Sequence, residues 1–305
     1  MRAALFLLLF VSAAVFAQQY NGFDLSNSVI NKSDIVQGGP PRDSIPALVS
    51  PEYLNADAAN FIKDDDIVLG LVFNGVAYAY PRYIMNWHEV VNDSRGFVIT
   101  YCPLCGTGVA FSSQSTDKQR TFGVSGLLYN NDLIIYDHET ESLWSQIEKK
   151  AISGPLVGEQ LNQLRLEHTS WQVWKSKYPD SKILSEEQGY TRNYRHDPYT
   201  GYDTSSRVFF KTLRQTPSDY HTKEKVLGIT LDGKSKAYPF KELRNNGKTT
   251  FVDSLSDVSY HVVWDPETPS ATIVATDNRV LTPTIAFWFA WYNFHPDTLV
   301  FKAQK

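Results

Sequence analysis

The sequence predicts a strand-rich α+β fold made of two tandem copies of a hairpin-plus-Trp-helix unit, packed as one globular body. Three observations carry that prediction. Residues 67–81, IVLGLVFNGVAYAYP, align with residues 225–239, KVLGITLDGKSKAYP. Farther along, Trp171 and Trp174 before Tyr178-Pro179-Asp180 match Trp288 and Trp291 before His295-Pro296-Asp297, in the same order. Apolar residues make up 42% of the 305 positions, enough to fill one large core or two smaller ones.

Met1-Arg2, an apolar run from Ala3 to Val11 and small residues up to Ala17 have the pattern of a secretory signal peptide, residues 1–17. The run falls short of the roughly 20 residues that a membrane-spanning helix needs. The mature chain is therefore expected to start near Gln18 and to be secreted, to the extracellular space or a periplasm. No later segment qualifies as a span; Ile285 to Phe294 is short, and its aromatic residues suit a core. Residues 18–60 form an extended lead-in, because the prolines of GGPPRDSIP at 38–46 hold the chain out of helix.

The first repeat unit, 61–186, opens with a hairpin around Asn74-Gly75, and the second, 223–305, with one around Asp232-Gly233. Both dipeptides favour a type I′ turn, whose two central residues need positive φ. Two Trp three residues apart share one helix face, and the Pro-Asp that follows ends the helix. The units are unequal. Only the first carries a long insertion with the two cysteines, FGVSG at 122–126 and the polar run 136–146; the second has YHVVWD at 260–265 in its place. The second is expected to be scaffold and the first to hold the site. The linker 187–222 is too rich in Tyr for a solvated coil and is expected to be ordered.

Twenty-nine Lys and Arg against 33 Asp and Glu leave a net charge of -4 with no basic run. Nucleic acid and anionic membrane are thereby excluded as expected partners. Two cysteines do not staple a fold of this size, so stability must come from burial, much of it aromatic.

Both cysteines lie in Cys102-Pro103-Leu104-Cys105-Gly106, between strand-like 96–101 and strand-like 106–111. Strand, Cys-Pro-x-Cys-Gly, strand is the layout of a metal knuckle: Pro sets φ for the turn, and Gly permits the positive φ that aims N–H groups at sulfur. A thioredoxin-type pair instead places its second Cys in a helix, which Gly106 and Gly108 disfavour. Three functions stay open: an exported metal-binding protein, a thiol–disulfide redox enzyme, and a non-catalytic binding module with a structural disulfide. For the first, one knuckle gives half a ligand set, and His88 and His295 are the candidates to join Cys102 and Cys105; His138 is a weaker one. Two thiolates with His suit zinc, copper or iron, with electron transfer open for copper. Met85 is expected in the core, and no catalytic residue is assigned.

YDHETESLWSQ at 136–146 concentrates acids and hydroxyls; it is expected to form a polar turn and then a helix capped by Thr140 or Ser142, with Asp137 or Glu139 as the acid or base if it lines a pocket. FGVSG lacks the Lys of a phosphate loop, and His88-Glu89 lacks a second His at position 92, where Asn stands. Asn31 and Asn92 fit the glycosylation pattern.

GGPPRDSIP (38–46), WHEVVND (87–93), TYCPLCGTG (100–108), TFGVSGLLY (121–129), the run 136–146, FWFAW (287–291) and FHPDT (294–298) resemble the family called domain of unknown function 3179. The resemblance covers nearly the whole mature chain, and its Tyr-Cys-Pro-Leu-Cys run is specific. His138 stands where members often have Arg, which lowers its value as a ligand. The resemblance implies the domain and supplies no activity.

Overall fold

β-Branched and aromatic residues separated by Asn-Gly, Asp-Gly and Asn-Asn turns commit most of this chain to short strands. The computed structural model describes residues 19–114 and 119–304, so the expected signal peptide lies outside the described residues. The strands of the first half are β1 (Ile35–Gln37), β2 (Tyr53–Asn55), β3 (Ile67–Phe73), β4 (Val76–Pro81), β5 (Val90–Asp93), β6 (Phe97–Cys102), β7 (Thr107–Ser112), β8 (Phe122–Tyr129), β9 (Asp132–Asp137), β10 (Leu143–Ser145) and β11 (Lys150–Ser153). Then come β12 (Gln163–Leu164), β13 (Leu166–Ser170), β14 (Lys182–Leu184), β15 (Lys225–Leu231), β16 (Lys234–Pro239), β17 (Thr250–Leu255), β18 (Val258–Asp265), β19 (Ser270–Ala275), β20 (Thr284–Phe287) and β21 (Leu299–Val300). Among the described residues four seven-residue helices interrupt them: α1 (Arg82–His88), α2 (Trp171–Lys177), α3 (Phe240–Asn246) and α4 (Trp288–Phe294). The chain is a strand-rich α+β protein, and among the described residues no helix is long and apolar enough to cross a membrane.

Five sheets result, with orders β13-β3-β4-β14-β2, β12-β7-β6-β5, β1-β8-β9-β10-β11, β20-β15-β16-β21 and β17-β18-β19. The β3–β4 hairpin turns at Asn74 and Gly75, with φ of 49° and 79°; the β15–β16 hairpin turns at Asp232 and Gly233, with 50° and 75°. β14 runs parallel to β4, and β21 runs parallel to β16. Trp174 of α2 lies flat over β3, where a Cβ on Gly70 would sit 2.2 Å from the ring. Trp291 of α4 does the same over Gly228 of β15, also at 2.2 Å. Only glycine admits such an approach at those two strand positions.

One cluster of buried side chains runs from Cys102 and Cys105 through Phe111, Phe122 and Trp144 to Phe287 and Trp291, so the cysteine turn is sewn into the core that joins the two halves. The stretch 187–222 contains no helix or strand, yet Tyr194, Tyr202 and Tyr220 are buried within it. After Tyr136 the structure departs from expectation. Asp137, fully buried, accepts from the N–H and hydroxyl of Thr140 and from Trp144 Nε1, closing a tight turn, and the chain continues as strand β10 rather than a helix. Pairing with β9 supplies the backbone partners that a helix would have supplied internally. Asn92 is also unavailable for glycosylation: its side chain is buried and bonds both backbone groups of Phe122.

Candidate metal centre

β6 ends at Cys102 and β7 begins at Thr107, directly opposite, so residues 103–106 form the tight connection expected of a knuckle. Gly106 has φ of 62°, and a Cβ there would meet the Phe287 ring at 2.8 Å. The turn is held from outside as well. The backbone N–H of Phe287, at the end of β20, donates to the Cys105 carbonyl at 2.8 Å. Both cysteines are buried and unbridged.

A second hairpin delivers the third group. β8 and β9 are joined by Asn130 and Asn131, both at positive φ (52° and 66°), as a two-residue type I′ turn demands. That turn brings the Asn131 carbonyl to the thiols, where it accepts from Cys105 Sγ at 3.3 Å and lies 4.0 Å from Cys102 Sγ. The next residue is Asp132. Its carboxylate and the two sulfurs place one ligand atom each within 4.8 Å of one another, and all three residues are buried. Asp132 Oδ2 accepts from the N–H of Ile147 at 3.1 Å, while Oδ1 is buried without a hydrogen-bond partner.

Glu89 adds a further carboxyl. It follows α1 in the left-handed conformation (φ 58°), with its carbonyl bound by the Tyr101 N–H. Its buried side chain accepts from Tyr199 Oη at 3.4 Å. The stretch 187–222 thus closes over the centre: Tyr199 reaches Glu89, Asn131 Nδ2 donates to Tyr202 Oη, and Asn131 Oδ1 accepts from the Phe210 N–H. A cleft of about 40 Å³ lined by Pro103, Tyr199 and Tyr202 lies beside the turn.

Electrostatics follow from burial. Loss of water pushes the Asp132 carboxyl up to about 7, against the opposing pull of the Ile147 and Leu133 N–H groups and the two thiols. Glu89 is pushed up to about 8, first by burial and then by the Asp132 charge. Both thiols are raised for the same reason, although the Cys105 N–H favours a thiolate on Cys102, as a knuckle should. Burial thus keeps the thiols protonated; ionising all three groups in this dry site would set three negative charges against one another, a cost that a cation would remove. The partnerless Asp132 Oδ1 is the sort of atom that a metal satisfies, and two thiolates with a carboxylate make a donor set within zinc's range.

The sequence-predicted ligands are distributed differently. Cys102 and Cys105 come together; His88 and His295 do not join them. His88 is fully buried, with Nδ1 against the Pro46 carbonyl at 2.8 Å and Nε2 against Tyr194 Oη at 2.7 Å, so both ring nitrogens are engaged. His295 lies on the Trp291 ring with centroids 4.1 Å apart, bonds Ser235 Oγ, and lines a separate cleft with Gly233 and Asp297. His138 is exposed beside Thr121, and Met85 is fully buried. Locally, Asn130-Asn131-Asp132 reads only as a turn, so Asp132 carries no site signature of its own. The available signal was that two consecutive Asn before a β-prone run fix a hairpin tip, and whatever follows the tip stands at its mouth.

A family model described as protein of unknown function (DUF3179) matches residues 42–285. No curated protein and no solved structure matches the chain.

Proposed function

The chain belongs to the DUF3179 family, and from that premise we propose that it is an exported metal-binding protein in which Cys102, Cys105 and Asp132 hold one transition metal ion, zinc before copper. The observation that carries this is the buried Asp132 Oδ1, without a hydrogen-bond partner, within 4.8 Å of two free thiols. Asp132 takes the place first given to histidine, which moves the donor set from copper toward zinc. Bound metal would supply Lewis acidity; the residues of this chain bind it, exclude bulk water through Tyr199 and Tyr202, and keep Glu89 as a nearby proton carrier. Export rests on the pattern of residues 1–17.

Elemental analysis of protein purified without chelators tests the proposal. About one equivalent of metal per chain is expected, falling below about 0.2 in Cys102→Ser and in Asp132→Asn and unchanged in His295→Gln. A wild type below that level overturns it.

One observation favours a second reading, a thiol–disulfide redox pair: the two free sulfurs lie within 4.8 Å of each other. A Cys102–Cys105 couple more reducing than about -300 mV, the range of inert structural disulfides, would count against it.

We also infer that 61–186 and 223–305 are two copies of one unit. Support comes from the paired hairpins with like turn geometry, the parallel strand added to each, and the Trp-over-Gly contact in both. Only the first copy carries the metal hairpins.

A further inference from the structure

Outside the cysteine centre, two cations and a histidine meet in one small cavity between the two halves. Arg82 opens α1, Lys225 opens β15, and His168 sits midway along β13. All three line one cavity of about 30 Å³ together with Tyr101, Gly106 and Phe287, and no carboxylate is part of its wall. That volume takes a group of two or three heavy atoms, on the scale of one or two waters. Among the described residues neither Arg82 nor Lys225 is in an ion pair. Arg82 neighbours the Tyr101 hydroxyl, and it also lines the adjoining small cleft whose wall includes Asn86, Asp197 and Asp203, neither carboxylate being within ion-pair distance of it. Asp203 and Glu224 act on Lys225 only from farther away, and Glu224 Oε1 is already taken by the Lys241 N–H at 2.7 Å.

Two like charges facing each other in a half-buried space are unfavourable, and elsewhere this chain pairs such cations, as Arg195 with Asp66 and Lys236 with Asp253. Burial and the nearby Arg82 charge both lower the pKa of Lys225, and burial holds His168 neutral, down to about 3. Apolar walls from Phe287 and Ile285 leave no room for a large hydrated ion.

We infer that this cavity is an anion site, in which Arg82 and Lys225 bind a small monovalent oxyanion of the carboxylate type, with His168 and Tyr101 as neutral polar walls. The planar guanidinium presents two parallel N–H groups to a carboxylate, and the ammonium supplies a point charge from the facing strand. The inference stands apart from the metal reading, although Gly106 of the knuckle forms part of the wall.

Formate is the probe, titrated into the full mature protein at constant ionic strength with gluconate as the balancing anion. We expect a saturable rise in Tm and saturable broadening of the ¹³C-formate resonance, with chloride competing weakly and sulfate producing neither effect. Arg82→Gln and Lys225→Met should each weaken formate binding about tenfold or more; Met keeps the apolar stem of Lys225, so that variant is the one expected to fold unchanged. No saturable response in the wild type overturns the inference. So does binding that survives both substitutions unchanged, which would place formate elsewhere, a bound metal included.

Discussion

His295 lost its place as a ligand and keeps one as packing. Burial beneath Trp291, with a smaller contribution from the Lys149 charge, lowers its pKa from the usual 6.5 to about 4. Between those values the unfolded chain takes up a proton that the folded chain refuses. Stability is therefore undiminished above about pH 6.5 and falls as pH drops toward about 4, by roughly 1.4 kcal/mol per pH unit. His295→Gln should flatten that part of the curve. Urea midpoints for wild type and variant at about pH 5 and about pH 7 check it; a gap that is the same at both values sinks the prediction. At this scale the sequence was half legible. Cys102 and Cys105 could be found because a knuckle is a local word, spelled in five consecutive residues. Asp132 could not, because it meets them only after β8 and β9 have folded back, and no spacing rule encodes that meeting.

Hairpins and their turns were the most legible elements, since Asn-Gly and Asp-Gly specify positive φ without help from the rest of the molecule. The stretch after Tyr136 was misjudged for the opposite reason: Asp137 and the neighbouring strand decided it, and neither acts through local propensity. The Trp-over-Gly contact offers a test of what such elements contribute. Gly70→Ala places a methyl 2.2–2.6 Å from three atoms of the Trp174 ring and should cost about 3 kcal/mol by overpacking. Gly75→Ala meets open space and should cost only about 1 kcal/mol, the strain of its positive φ. Denaturant unfolding gives both numbers. A Trp174→Phe background should relieve most of the Gly70→Ala cost and none of the Gly75→Ala cost; equal costs in both backgrounds would remove the contact as the explanation.

Across the whole molecule the site depends on parts far from it in sequence. Residues 187–222 cover it, and Phe287 both bonds the Cys105 carbonyl and fills the space left by Gly106. Phe287→Ala should keep the fold, since β20 still pairs with β15 through its backbone, but open the turn. Alkylation of the two thiols in native protein is expected to speed up about tenfold or more, with the far-ultraviolet circular dichroism unchanged. An unchanged alkylation rate would show that Phe287 does not guard them. The same bond has a consequence in time. On the ribosome Cys105 emerges about 180 residues before Phe287, a lag of roughly ten to forty seconds of translation. Throughout it the thiols lack the part of their cover that Phe287 supplies. If the centre takes a metal as proposed, metal uptake would compete with disulfide formation until the segment that carries Phe287 has folded.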